Sequence, residues 1–199
     1  MSSILSTFLI SFYCRLSGAD RFRVLNKTGY VNDPIFLLHH IAPGHPETPE
    51  RMRYIKNIME ESDIWNDLIQ ISLKPEIGDW LKAVHSESHI ASIKKNMPIS
   101  HEVAAAAVRG CLAAVDQVST GAINNAFCAT RPPGHHALNT GKEEGFCYYN
   151  TVAIAARYAQ KKYGLENILI IDWDYHHGNA TEEMFYDDPS VLYFSTHDF

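Results

Sequence analysis

Apolar positions recur along this chain with two periods, and the switching between them predicts helices and strands in alternation. Residues 49–61 suit a helix, with Thr48 as N-cap and Glu50 in the first turn. A second helix is expected over 86–95. The strongest amphipathic pattern covers 102–119, where Val103, Val108, Leu112, Val115 and Val118 fall on or near one face of an Ala-rich helix. Such a stripe can pack closely on a sheet. Apolar runs at 126–130, 168–172 and 191–196 read as strands, the run Ile168-Leu169-Ile170-Ile171 as a buried one. Helices are expected over 149–163, closed by Gly164, and over 181–186. This alternation argues for an α/β fold of three layers, a mainly parallel sheet with helices on both faces. No repeat, low-complexity tract or linker divides the chain, so it reads as one domain or part of one.

In sheets of this kind ligands bind outside the carboxyl ends of the strands, and two such ends carry chemistry. Asp172-Trp173-Asp174-Tyr175-His176-His177-Gly178-Asn179 follows the strand at 168–172. Residues 172, 174 and 176 project to one side if the extended conformation persists. Two carboxylates and an imidazole suit zinc and leave room for manganese or iron. Asp and His also crowd ordinary loops after strands, so the motif alone is not decisive. Arg131-Pro132-Pro133-Gly134-His135-His136-Ala137 repeats the arrangement after the strand at 126–130. Its Pro-Pro-Gly turn stops the strand, and the adjacent imidazoles can handle protons near neutral pH. His39-His40 is a similar pair, to which only packing is assigned.

These residues resemble a known family. RPPGHHA, then Gly-Phe-Cys-Tyr-Tyr-Asn at 145–150, then DWDYHHGN, are similar to the zinc-dependent histone deacetylases, a family that includes acetylpolyamine amidohydrolases and other bacterial deacetylases. The likeness begins near Thr28-Gly29-Tyr30, takes in Gly44-His45-Pro46-Glu47-Thr48-Pro49-Glu50-Arg51 and runs to Phe199. Its forms look closest to the class II and polyamine-type branch. It implies an arginase/deacetylase-like fold, with 1–27 as an N-terminal extension and 28–199 as the N-terminal part of the catalytic domain.

The resemblance also implies roles. Asp174 and His176 would be two of three protein ligands of a catalytic zinc. His136 would be the general base and acid, with His135 giving electrostatic help. Asp172 would fix the tautomer of His135, and Asn179 stands where many members have an Asp partner of His136. Gly145 and Phe146 would line the acyl-lysine tunnel. Asp172, Asp174, His176, Ser195 and the carbonyl of Thr196 resemble the family's inner potassium site, and Arg51 matches an arginine near the product-exit channel. The family's third zinc ligand, its oxyanion-stabilising tyrosine and a glycine-rich loop are expected beyond Phe199. His197 and Asp198 remain open as in-chain ligands. Ala180 departs from the usual Gly of the family's Gly-Asn-Gly.

The implied reaction is zinc-dependent removal of acetyl or other acyl groups from lysine side chains of histones or other proteins, or from acetylpolyamines. Two alternatives stay open: an arginase-like dimanganese ureohydrolase, and a catalytically incomplete binding protein. A homo-oligomer, or a partner completing the fold, would cover apolar surface and sheet edge left by a shortened chain.

Composition changes this picture little. A formal net charge of −6 argues against a non-specific nucleic-acid binder and suits a cationic substrate. Cys14, Cys111, Cys128 and Cys147 form no Cys-x-x-Cys pair, so free thiols in a reducing compartment, cytoplasmic or nuclear, are expected. Cys128 reads as core, and Cys147 as packing rather than nucleophile. The apolar stretch Ile4 to Cys14 is too short to span a bilayer and lacks a basic segment and an Ala-x-Ala site, so no membrane association is expected.

Overall fold

The structure, a computed structural model, describes residues 9–10 and 27–198. The strands are β1 (Leu9–Ile10), β2 (Thr28–Val31), β3 (Leu68–Gln70), β4 (Asn125–Cys128), β5 (Ile168–Asp172) and β6 (Val191–Ser195). The helices are α1 (Pro49–Glu61), α2 (Glu87–Asn96), α3 (Pro98–Ser119), α4 (Thr151–Tyr163) and α5 (Asn179–Phe185), with 3-10 turns at Pro34–Leu37, Trp65–Asp67 and Gly78–Ala83. Among the described residues the strands form two sheets. One runs β1-β4-β2-β3, with β2 parallel to both β3 and β4 and β1 antiparallel to β4. The other pairs β5 with β6 in parallel, from Ile168 opposite Val191 to Asp172 opposite Ser195.

Local chemistry explains most element ends. α3 begins at Pro98, ahead of the residues that carry its Ala stripe, because proline at the first helical position brings a preset φ and no N–H to satisfy. Ser86 caps α2 by accepting the His89 N–H at 3.2 Å. Asn150 caps α4 by accepting the Ala153 N–H at 3.1 Å, and Gly164, at φ 67°, ends it in the left-handed region. Thr48 stands at the N-cap of α1 as expected, without a side-chain capping bond, and Pro49 takes the first helical position.

α3 is the central element. Val108, Leu112 and Val115 are fully buried, and the helix packs on β2, β4 and α4. A second cluster joins Tyr30, Phe36, Met52, Val103, Ala106, Ala107 and Ala129. The expectation of a strand buried on both faces at 168–171 needs correction. Ile168 and Ile170 point into the core, whereas Leu169 is 55% and Ile171 49% exposed. Leu192 and Phe194 continue that outward apolar face on β6. Continuous apolarity predicted two covered faces, but no described residue covers the second.

Among the described residues no helix is long and apolar enough to cross a membrane. Of the Ile4 to Cys14 stretch, only Leu9–Ile10 lies within the described residues.

His39 and His85 are buried, and burial pushes their pKa values down from 6.5, to about 4 and about 3. The unfolded chain takes up these protons nearer 6.5, so their contribution to stability is full above that pH and is lost as pH falls toward the folded values. Between pH 6 and 4 the loss is expected to reach at most about 1.4 kcal/mol per ring for each pH unit. Thermal melts across that range test this; a melting temperature that ignores pH would contradict it.

Candidate active site

β4 and β5 end at neighbouring places, and the loops that follow them meet. Residues 131–136 leave β4 through a Pro-Pro-Gly turn, and residues 173–178 link β5 to α5. Burial alternates past the end of β5: Asp172 and Asp174 are buried, whereas Trp173 and Tyr175 are exposed. The alternation expected from strand geometry holds through Asp174 and fails at His176, which is exposed because the chain bends over 174–176 and turns the His176 N–H back onto Asp174 Oδ1.

The two loops enclose a cleft of about 120 Å³ lined by Glu47, Pro133, His135, His136, Gly145, Phe146, Asp174 and His176. Behind its wall, His135 Nδ1 lies 3.0 Å from Asp172 Oδ2, and His136 Nδ1 lies 2.6 Å from Asn179 Oδ1. An imidazole whose Nδ1–H donates to an oxygen keeps Nε2 as its basic nitrogen. Burial works to raise the Asp172 carboxyl, but the His135 ring, the Asp174 N–H and the Tyr193 hydroxyl together hold it below its usual value. Burial and the neighbouring His135 ring push the His136 pKa down, with only partial opposition from Asn179.

The Asp174 carboxylate accepts the His176 N–H at 2.8 Å and lies 3.2 Å from His176 Nδ1. This oxygen–nitrogen pair, at the wall of the cleft, has the donor chemistry of a zinc site. Among the described residues no group of three or more His, Cys, Asp or Glu side chains is set to hold an ion. The two open in-chain ligands turn elsewhere: His197 Nδ1 lies 2.8 Å from Ser195 Oγ, and Asp198 accepts the Tyr175 hydroxyl proton.

The remaining expected residues fall nearby. Ser195 stands opposite Asp172 in register, and the Thr196 N–H donates to the Asp172 carbonyl at 2.9 Å. Arg51 Nη1 lies 3.4 Å from Glu47 Oε1 at the cleft. Ala180 is fully buried, and its N–H donates to the His135 carbonyl at 3.1 Å, so α5 starts against the His loop. Cys147 is buried and free, and burial pushes its thiol far up, as suits packing rather than a nucleophile.

Close approach explains one glycine. A Cβ at Gly178 would lie 2.4 Å from Asp172 Oδ2 and 2.5 Å from the Tyr193 hydroxyl, so no larger residue fits there unless its neighbours move. Tyr193 itself was not anticipated; it donates to Asp172 Oδ2 at 2.9 Å and accepts the Gly178 N–H at 3.0 Å. Nothing in the local pattern of β6 signals that reach. Glu47 and Arg131 were quoted within motifs but given no role, although they form a buried bidentate pair at 2.6–2.7 Å.

Comparisons with known proteins identify the family and the fold. Residues 45–199 match the family model described as the histone deacetylase domain. The chain is 37% identical over 171 residues to polyamine deacetylase HDAC10 of Rattus norvegicus, covering 76% of this chain and 29% of that protein. It is 33% identical over 208 residues to histone deacetylase clr3 of Schizosaccharomyces pombe, covering 88% of this chain and 30% of that protein. The solved HDA15 HD domain superposes with a TM-score of 0.79 at 31% identity, covering 86% of this chain and 53% of that one. The chain thus spans less than a third of these curated relatives and about half of the solved domain. With the fold, the paired His loops and the matched residues in agreement, the chain belongs to the histone deacetylase family.

Proposed function

We propose that this chain forms the His-bearing half of the active site of a zinc-dependent amidohydrolase that removes acetyl groups from acetyl-lysine or from acetylpolyamines. The observation that carries the reading is the pair of relays, His135–Asp172 and His136–Asn179, flanking Asp174 and His176 in one cleft. Asp174 and His176 would hold the ion, with a further donor supplied from the rest of the domain. A bound zinc would polarise the amide carbonyl and acidify water.

The chain's own residues supply the rest. His136, oriented by Asn179, accepts the proton of the attacking water and returns one to the departing amine nitrogen. His135, held by Asp172, places a second imidazole beside the developing negative charge. Gly145 and Phe146 flank the alkyl chain, with the Phe146 ring set edge-on to His45 at 4.5 Å between centroids. Asp172, Asp174, His176, Ser195 and Thr196 are proposed to hold a potassium ion, and Arg51 to face the leaving acetate. Buried free thiols suit a reducing compartment, cytoplasmic or nuclear.

The test is release of acetate from an acetyl-lysine peptide and from an N-acetylpolyamine by the protein at its natural length, with zinc supplied and then chelated. Zinc-dependent release from either supports the reading; no release from both refutes it. A protein that only binds the acyl amine would show saturable binding without acetate.

Asn179→Asp provides a finer check. A carboxylate in place of the amide favours the imidazolium, so the His136 pKa rises. The base is then protonated at higher pH, and the acid limb of the kcat/KM profile is expected to move up by about one unit. An unmoved limb would remove His136 from the role of base.

A further inference from the structure

His85 and His89 take no part in the chemistry above, yet they are 3% and 0% exposed and both face the loop that carries Gly145 and Phe146. Their spacing across the start of α2 is that of a helical metal-ligand pair. The ring nitrogens are engaged otherwise. His85 Nε2 meets the Asn150 N–H at 2.8 Å, and its Nδ1 meets Asn139 Oδ1 at 3.3 Å. His89 Nδ1 meets the Gly141 N–H at 3.0 Å, and its Nε2 meets the Tyr148 carbonyl at 2.8 Å.

A backbone N–H only donates and a carbonyl only accepts, so these contacts set the tautomers. His85 carries its proton on Nδ1 and His89 on Nε2. The Asn139 amide is oriented by two further bonds, accepting the Ser86 N–H at 2.8 Å and donating to the Val84 carbonyl at 3.1 Å. Ser92 Oγ adds a bond to the Gly141 carbonyl at 2.6 Å, and the two rings stack at 4.9 Å. The loop is thus tied to α2 and the residues before it at positions 139, 141, 148 and 150.

Between these ties lies a turn closed by paired Glu144–Cys147 backbone bonds. Its central residues, Gly145 at φ 53° and Phe146 at φ 66°, are both left-handed. An L residue keeps that conformation only where its surroundings enforce it. The Gly145 Cβ position would lie 2.4 Å from His136 Cδ2, so a small shift of the turn would change the space beside the base.

We propose that His85 and His89 are positioning residues, neutral imidazoles of opposite tautomer that latch the 139–150 loop so that Gly145 and Phe146 stand at the acyl cleft. The effect on substrate rests on the deacetylase reading; the latch is a property of the fold alone. Phenylalanine at 89 keeps the ring volume and removes both bonds, whereas glutamine offers an acceptor and a donor at similar spacing.

The protein at its natural length, loaded with zinc, is compared as wild type, His89→Phe and His89→Gln. In His89→Phe, amide exchange at 139–150 is expected to accelerate, and KM for the acetylated substrate to rise about ten-fold with kcat within about two-fold, the signature of lost binding rather than lost chemistry. His89→Gln is expected to recover most of both changes. Unchanged loop exchange in His89→Phe, or equal damage by Phe and Gln, overturns the proposal. Should His89→Phe fail to fold, ring 15N spectra of the wild type decide: Nδ1–H at His85 with Nε2–H at His89 supports the latch, and any other pair of tautomers overturns it. Altered exchange in a protein that hydrolyses no acyl amine would leave the latch standing and refute the deacetylase reading.

Discussion

Replacing Asp174 with alanine is expected to lower deacetylation by the protein at its natural length at least about 100-fold, since even partners that merely orient metal ligands are worth 10–100-fold in affinity or activity. Asp174 is buried, lines the cleft, and pairs with both the backbone and the ring of His176. Its removal would take away one proposed ligand and release the other. Zinc retained after dialysis should fall with turnover. Asp174→Asn separates binding from folding, because an amide oxygen can still accept the His176 N–H while carrying no charge for a cation. That variant should melt near the wild type and still be inactive. Undiminished turnover by Asp174→Ala would sink the assignment of the metal centre.

Arg131→Met is expected to cost about 3–5 kcal/mol of stability, the range for breaking a buried ion pair by removing one partner. Arg131 is fully buried and directs its Nε and Nη2 to the two oxygens of Glu47. Its Nη1 bonds the carbonyls of Phe36 and His39 at 2.6 and 2.7 Å. Methionine would leave the buried Glu47 carboxylate with only longer contacts to Arg51 and His39, and strand two carbonyls, at the root of the loop that carries His135 and His136. Urea unfolding measures the loss, and the Arg131→Met/Glu47→Leu double variant should lose less than the two single changes summed, because it removes both charges. A single-variant cost under about 1 kcal/mol would show that the pair is not what braces the loop. Because Glu47 also lines the cleft, its variants should change substrate binding as well as stability.

Much of the site was readable because its signals are local. The Asp-x-Asp-x-His spacing sets alternation off a strand end, and Asp172 and Asp174 are buried as that alternation requires, whereas His176, past a bend, is exposed. The Pro-Pro-Gly turn breaks β4 whatever lies around it. The Ala stripe and Gly164 place α3 and the end of α4 to within a few residues. The short strands β2 and β3 were not read, since four and three residues are too few to establish a period. The bracing pair Arg131–Glu47 joins positions 84 apart, a separation that leaves no trace in a window of any useful length.

By itself the sequence determined the family, the alternation of elements and the two His-bearing loops, because strand and helix periods and turn chemistry act within a few residues. Tertiary structure supplied the rest. It closed, across 43 and 37 positions, the His136–Asn179 and His135–Asp172 contacts that the family resemblance implies. It turned His85 and His89, at metal-ligand spacing, into anchors for backbone groups 52 to 65 positions away. It also left Leu169 and Ile171 facing outward where composition predicted burial. Whether a side chain is buried, and which atom it meets, depends on what packs across from it, and that partner is set by chain crossings rather than by neighbours in sequence.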